Sequence, residues 1–321
     1  MSNLRILPDN NLDLWDELYK SGQSKSIYFH KDFISSLNEY FQNYLVFKND
    51  ELVAGFTCLL NEDKSSIVSN NFAIYSGFYF ASRQNKKVNK QRIERIDLIN
   101  EVLKIISNRY FEIDFTMSPD VKDIRPFQWY NHGKPPPYFS AETRYTSFLD
   151  LSISNDELLK NFSSIRRQQI GYAEKEGLEV LETTNFSNLI KNYERNIVSQ
   201  GSELSENYFD SLSELINNPK VRNLVRCFEI IRNKKASYSV LFSNLEGSTE
   251  YMYGAGDPSI QESYDSTYLI WKVICKMKNE GKSSLNFEGV NSPNRGNYKL
   301  SFGGDLQSYY KIRKLSEEKN F

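Results

Sequence analysis

The chain has 321 residues, about twice the usual length of a domain, so two hydrophobic cores are the natural expectation. Hydrophobic residues make up 39% of it, charged residues 25%, and the net charge is −1, which argues against a disordered chain and against a global field that attracts nucleic acid. No apolar run approaches the roughly 18 residues of a membrane span, and no signal-peptide core opens the chain, so we expect a cytoplasmic protein.

Thiol and imidazole groups are few. Cys58, Cys227 and Cys275 lie far apart in apolar surroundings, which predicts reduced thiols rather than disulfides. With only His30 and His132, neither a histidine-rich metal site nor a Ser-His-Asp relay can be assembled. We therefore expect no bound metal.

The first half of the chain reads as two helices, a strand meander, a long helix and a last strand. Hydrophobic spacing predicts helices at 12–19, 31–41 and 93–106, and strands at 44–47, 52–60, 67–80 and 110–117. Asn49-Asp50 is a turn signal between the first two strands.

A break follows in the middle of the sequence. Residues 119–143 contain Pro126, three consecutive prolines at 135–137 and Gly133, which interrupt any regular element. This pattern predicts a crossover between an N-terminal domain, 1–143, and a C-terminal domain, 144–321.

The second half repeats the order of the first. The pattern predicts strands at 146–151, 178–182, 221–231, 236–244, 250–254 and 284–287, a closing strand pair around Phe302 and 309–315, and helices at 156–162, 165–175, 186–199, 206–216 and 266–279. A duplicated α+β fold follows, each half a mixed twisted sheet flanked by helices.

Positive charge is concentrated in two stretches. Residues 220–235 hold six Lys and Arg side chains against Glu229 alone, and the C-terminal region from Arg295 to Lys314 holds a second cluster. Solvated charge on strands and loops is the favoured interpretation, and a track for a polyanion is the alternative.

The C-terminal region carries the most specific pattern. A strand ending in Glu288-Gly289 precedes the segment Tyr298-Lys299-Leu300-Ser301-Phe302-Gly303-Gly304, which resembles the C-terminal signature of FemABX-like transferases of the GNAT superfamily. Residues 161–178 resemble the family's arginine-rich helix, and residues 123–129 with 144–151 resemble its interdomain passage.

This resemblance implies tandem GNAT-like (acyl-CoA N-acyltransferase) domains. It also implies transfer of an acyl or aminoacyl group, from acyl-CoA or aminoacyl-tRNA as co-substrate, to an amine of a cell-envelope or glycan precursor, as in peptidoglycan synthesis. The expected partners are an amine-bearing glycan or peptide and the tRNA acceptor end, with no DNA. The alternative is a catalytically inactive GNAT-fold scaffold that binds a nucleotide sugar or a partner enzyme.

The chemistry needs a group that stabilises an oxyanion and a group that accepts a proton. Lys299 matches the family's motif lysine, which would stabilise the developing charge, and its alternative is a surface lysine on a strand edge. The candidate proton acceptors are Glu288, Asp257 and either Asp114 or Asp120. Each could instead be a turn or cap residue, and this is the stronger interpretation for Asp257, which precedes Pro258.

Substrate-binding residues are expected on several elements. Tyr251 and Tyr253 alternate on one strand, so they share a face, although each could be a packed core tyrosine. In GNAT domains this strand separates from its neighbour and exposes N–H groups to the acyl carbonyl. The resemblance adds Tyr208, Arg166, Arg167, Phe302 and Gly303.

Two departures from the expected patterns bear on the substrates. The family's arginine that holds a nucleotide-linked acceptor is replaced by Leu204, which cannot bond a phosphate, so the acceptor is expected to differ from the muramyl-peptide precursor. The Gln/Arg-x-x-Gly-x-Gly/Ala turn that cradles the CoA diphosphate is missing, since Gly254-Ala255-Gly256 is too short. The sequence therefore leaves both acyl-CoA and aminoacyl-tRNA as candidate donors, and acyl-CoA is the less favoured of the two.

Overall fold

The structure is a computed structural model that describes residues 4–9, 12–22, 24–37, 40–82, 87–199, 204–205 and 207–315. Contacts group the chain into two units, Met1–Arg144 with Ser308–Phe321, and Tyr145–Gln307. The last strand therefore ends in the first unit. The domain limits 1–143 and 144–321 stay a prediction.

The first unit is built on an antiparallel meander. Its strands are β1 (Leu4–Asp9), β2 (Tyr40–Lys48), β3 (Glu51–Leu60), β4 (Ile67–Val68), β5 (Gly77–Phe80) and β6 (Asp114–Thr116), and its helices are α1 (Leu12–Ser21), α2 (Lys31–Ile34), α3 (Val88–Arg109) and α4 (Arg125–Gln128). Strands β1 to β4 neighbour each other in sequence order, and β5 also pairs with β3. Helix α3 packs its buried side chains, among them Val102 and Ile106, into one hydrophobic cluster with Phe56 and Phe115.

The second unit holds the remaining elements. They are β7 (Tyr138–Asp150), α5 (Asn155–Asn161), α6 (Ser164–Glu176), β8 (Val180–Thr183), α7 (Ser187–Ser199), α8 (Tyr208–Asn217), α9 (Pro219–Arg222), β9 (Val225–Arg232), β10 (Lys235–Ser243), β11 (Ser248–Gly256), α10 (Asp265–Asn279), β12 (Ser284–Gly289), α11 (Pro293–Leu300) and β13 (Asp305–Leu315), of which β7 begins and β13 ends in the first unit. The strand order is β7-β12-β11-β10-β9-β8, and only the β11–β12 pair among these neighbours is parallel. Helix α10 is the main buried helix, contributing Leu269, Ile270, Ile274 and Met277 to the core.

The expected α+β class with mixed sheets and helices is confirmed. The β2–β3 hairpin also forms where Asn49-Asp50 indicated a turn, and both residues have positive φ, 49° and 65°. Left-handed values at both central residues are what a two-residue hairpin turn requires.

The predicted helix at 31–41 is wrong over its second half. Helix α2 ends at Ile34, and β2 begins at Tyr40. Tyr40 and Phe41 pair with Leu60 and Leu59 of β3, so cross-strand pairing, which the local periodicity cannot reveal, decides their conformation.

The predicted closing strand pair around Phe302 is also wrong in its first member. Helix α11 occupies Pro293–Leu300, and Phe302 lies in the turn that follows it. Pro293 stands at the start of this helix, where its missing N–H costs nothing, and Gly296 in its middle obscured the helical pattern. The motif lysine, Lys299, therefore lies on a helix and not on a strand edge.

Candidate active site

Two parallel strands separate in the second unit. Strands β11 and β12 pair from Ser248 with Ser284 to Glu250 with Asn286, and their ladder ends there. Both strands continue, β11 to Gly256 and β12 to Gly289. Past Glu250, β11 therefore has no ladder partner on its β12 side within these fully described strands.

An irregularity in β11 lies just beyond the separation. Consecutive residues Leu241 and Phe242 of β10 pair with Tyr253 and Tyr251, so Met252 is an extra residue. Such a bulge bends a strand and re-aims its side chains, and bulges are common beside active sites.

A pocket of about 340 Å³ opens at this place. This volume lies within the usual range of small-molecule sites. Helices α7 and α11 and strands β10 and β11 contribute its lining, which is rich in tyrosine and consists of Tyr193, Asn196, Ile197, Tyr238, Tyr251, Met252, Tyr253, Gly254, Asn294, Arg295, Tyr298 and Lys299.

Lys299 brings a cation into this pocket. Its Nζ donates to the Gly289 carbonyl oxygen at 3.1 Å and lies 5.3 Å from the centre of the Tyr251 ring. The pKa of Lys299 is lowered to about 8, mainly by burial; the charge of Glu288 opposes this shift, and that of Arg295 contributes to it. A lysine in this state can donate to an oxygen and can also exchange a proton near neutral pH.

Glu288 is not part of the pocket lining, but it is close enough to influence the charge of Lys299. Its side chain is 2% exposed, and its φ of +58° is rare for a residue with a side chain. Its backbone N–H donates to Asn286 Oδ1 at 2.8 Å, and that oxygen also accepts from Thr146 Oγ1 at 2.6 Å. The turn that presents Glu288 to Lys299 is thus held by a buried polar contact.

Gly296 lets α11 approach the chain that follows β12. It is buried, and a Cβ at this position would lie 2.2 Å from the carbonyl oxygen of Val290. Only glycine permits this approach. Because Lys299 follows Gly296 by about one helical turn, the close approach sets the position of the lysine.

Tyr208 joins the tyrosines of the pocket from α8. Its hydroxyl is hydrogen-bonded with those of Tyr193 and Tyr253, and burial is the main reason that the pKa of Tyr208 is raised above its usual value. The rings of Tyr193 and Tyr253 meet edge to face, 5.3 Å apart. The structure therefore brings Lys299, Glu288, Tyr251, Tyr253 and Tyr208 together.

Of the three other candidate acids, Asp257 belongs to the second unit, and Asp114 and Asp120 belong to the first. Asp257 accepts from the N–H and hydroxyl of Ser259 and pairs with Arg195 at 3.3 Å, and these contacts hold the pKa of Asp257 below its usual value. In the first unit, Asp114 accepts from Ser69 and pairs with Lys311 and Arg313 at 3.1 and 3.2 Å.

The four remaining expected residues have packing or capping contacts. Arg166 bonds Ser301 and Thr267 at 2.7 and 3.0 Å and stacks on Tyr298, 4.4 Å from the ring centre. Arg167 donates to carbonyl oxygens at the end of α5, including that of Phe162.

Phe302 and Gly303 follow the helix that carries Lys299. Phe302 is fully buried, and it stacks on Phe287 with ring centres 5.3 Å apart. Gly303 has a φ of +74°, and a Cβ there would lie 2.4 Å from the carbonyl oxygen of Asn161. Both residues anchor the end of α11 and contribute no atoms to the pocket lining.

Sequence reasoning missed the α7 side of the pocket. Tyr193, Asn196 and Ile197 follow the i, i+3, i+4 spacing of one helix face, and this face meets β11. The signal available in the sequence was Asn196, a polar residue on the same helix face as Tyr193 and Ile197. It could not show which strand the face would meet.

Helix α10 begins with a buried carboxylate. Asp265 is fully buried and accepts from the Glu262 N–H at 3.1 Å, from the Ser237 hydroxyl at 2.7 Å and from Arg232 at 2.7 to 3.1 Å. Its negative charge lies at the helix end where an anionic ligand would bind and disfavours such a ligand there.

Several solved structures resemble this chain over nearly their whole length. FemX matches with a TM-score of 0.65 at 10% identity, over 95% of this chain and 96% of that one. The chain has a FemX-like fold. The tandem GNAT protein from the clavulanic acid biosynthesis pathway matches with a TM-score of 0.53 at 10% identity, over 99% and 100% of the two chains. L-PGS from Bacillus licheniformis matches with a TM-score of 0.57 at 9% identity, over 96% and 92%.

The FemX-like fold confirms the expected tandem GNAT architecture, and identities near 10% extend the likeness to the fold alone. No protein-family model matches the sequence, and neither does any curated protein. In the described part of the chain, no helix is long and apolar enough to cross a membrane.

Proposed function

We propose that this chain is an acyltransferase that moves an acyl or aminoacyl group onto an amine. The observation that carries the proposal is the place of Lys299. Its ammonium group lines a pocket at the point where β11 and β12 separate. A carbonyl carbon held there would have a cation on one side and the free edge of β11 on the other.

Lys299 supports two steps of this reaction. As the amine nitrogen attacks the carbonyl carbon, charge develops on the carbonyl oxygen, and the ammonium group can donate to it. When the bond from carbon to the leaving oxygen or sulfur breaks, Lys299 can give that atom a proton and regain one from the attacking nitrogen. A pKa of about 8 suits both transfers near neutral pH.

The backbone of β11 supplies the other electrostatic element. Past Glu250, N–H groups of this strand that point toward β12 have no ladder partner and are available to the acyl group. Glu288 serves as the buried counter-ion of Lys299 in this proposal, since its charge favours the protonated lysine. The tyrosines around them exclude water and orient the substrate.

We propose aminoacyl-tRNA as the donor rather than acyl-CoA. In CoA-dependent enzymes, the diphosphate lies at the N-terminus of the helix after the separating strand. Here α10 begins with the carboxylate of Asp265, whose negative charge disfavours a diphosphate at this end. An aminoacyl ester on a tRNA 3′ end needs no diphosphate at this place.

The acceptor in this proposal is the amine of a cell-envelope or glycan precursor, such as one for peptidoglycan. This choice depends on the resemblance of residues 298–304 and 161–178 to FemABX-like transferases. Leu204, which is 38% exposed, presents no donor to a phosphate. A nucleotide-linked acceptor would therefore need a different contact.

A transfer assay tests this proposal. The protein is incubated with a mixture of charged tRNAs or with acetyl-CoA, together with peptide and amino-sugar acceptors, and products are identified by mass spectrometry. We expect amide products with charged tRNA and none with acetyl-CoA. Products with acetyl-CoA alone would overturn the choice of donor, and no product with any pair would favour the scaffold.

A further inference from the structure

A second pocket lies entirely within the first unit, and its lining contains none of the residues that the proposed transfer uses. Its volume is about 360 Å³, and strand β5, the first turns of α3 and the chain after β6 form its walls. Phe78, Phe80, Ile96, Ile99 and Val121 give it an apolar floor. Such a combination of volume and floor is typical of small-molecule sites.

Three cations border this floor. Arg92, Arg95 and Lys122 line the pocket, and none of them forms a salt bridge with a described residue. Arg95 is half-buried and lies over the Phe80 ring, 4.6 Å from its centre. Burial lowers the pKa of Arg95, so its charge is poorly hydrated.

The carboxylates of the pocket offset these cations only in part. Asp123 is held by two side-chain hydrogen bonds from Arg125, from Nε at 2.8 Å and from Nη2 at 2.5 Å. Asp120 accepts a hydrogen bond from Ser24 and lies within electrostatic range of Arg95 and Lys122, but it makes a salt bridge with neither. Arg125 offsets the charge of Asp123, and Asp120 offsets one of the three cations. The pocket therefore keeps an excess of two positive charges.

We infer that this pocket binds an organic anion, a phosphate ester or carboxylate joined to an aromatic or aliphatic body. The anion would lie among Arg92, Arg95 and Lys122, and the body would cover Phe78, Ile96 and Ile99. Arginine donates two parallel hydrogen bonds to phosphate or carboxylate, and the apolar floor adds burial that inorganic phosphate cannot use.

Calorimetric titration of the full chain with 1-naphthyl phosphate tests this inference. We expect binding at least about tenfold tighter than that of inorganic phosphate or of 1-naphthol, because each lacks one half of the ligand. Titration with 1-naphthoate identifies the preferred anion. The inference would be overturned if 1-naphthol bound as tightly as 1-naphthyl phosphate. It would also be overturned if neither 1-naphthyl phosphate nor 1-naphthoate bound at about 10 mM.

Two variants locate the site. Arg95→Gln should weaken 1-naphthyl phosphate binding about tenfold, and so should Lys122→Gln, whose exposed side chain can be replaced without disturbing the core. Lys104→Gln, which removes an exposed charge from a later turn of α3, is the matched control and should bind like the wild type. If Arg95→Gln and Lys122→Gln both bind as the control does, the site lies elsewhere.

Discussion

At the residue scale, the charge state of Lys299 governs the proposed chemistry. The ordinary pKa of a lysine is 10.5, and burial brings that of Lys299 to about 8. At pH 7, roughly nine in ten molecules carry the cation. Raising the pH through 8 removes it, so activity that needs the cation declines there, well below the pH at which an exposed lysine loses its charge.

A pH–rate profile tests the direction of this effect. With hydroxylamine as an acceptor that stays unprotonated across the range, we expect kcat/KM of the wild type to fall about tenfold per pH unit above roughly pH 8. The Lys299→Arg variant keeps its charge at these pH values, so it should move this decline to higher pH. A wild-type profile that stays flat to pH 10 would contradict the assigned role.

At the element scale, α11 is fixed by its contact with the chain after β12. An alanine in the middle of an exposed helix normally stabilises it by about 1 kcal/mol relative to glycine. Gly296→Ala should do the reverse and lower the free energy of unfolding by about 1–3 kcal/mol, since its Cβ would meet the Val290 carbonyl oxygen. Urea denaturation measures the difference.

Gly171→Ala is the matched control for this prediction. Gly171 lies within α6, and a Cβ there has no other atom within 4 Å. This variant should be as stable as the wild type or up to about 1 kcal/mol more stable. If Gly296→Ala behaves like Gly171→Ala, the close approach of α11 does not constrain Lys299.

The sequence predicted best those elements whose signals are local. Asn49-Asp50 indicated its hairpin, and the helical spacing at 266–279 indicated α10, because turn chemistry and periodicity are both short-range properties. The pocket depends instead on contacts between distant segments. Tyr193 on α7 meets Tyr253 on β11 across 60 positions of sequence, and no local pattern encodes that contact.

At the scale of the whole molecule, much of the basic charge serves the fold. Arg226 pairs with Glu182 and Glu280, and Arg232 pairs with Glu176 and Asp265. Of the six basic residues at 220–235, these two are therefore committed to intramolecular pairs. The exposed lysines of that stretch, Lys234 and Lys235, remain available to a polyanion such as tRNA.

The central claim is that Lys299 promotes acyl transfer, and the turnover of Lys299→Ala tests it most directly. With the donor and acceptor pair that gives product, we expect kcat to fall about 10²- to 10³-fold, the usual effect of losing one oxyanion donor. Lys160→Ala, which removes an exposed lysine from α5, should keep wild-type turnover, and both variants should unfold cooperatively. Wild-type turnover by a folded Lys299→Ala would contradict the claim.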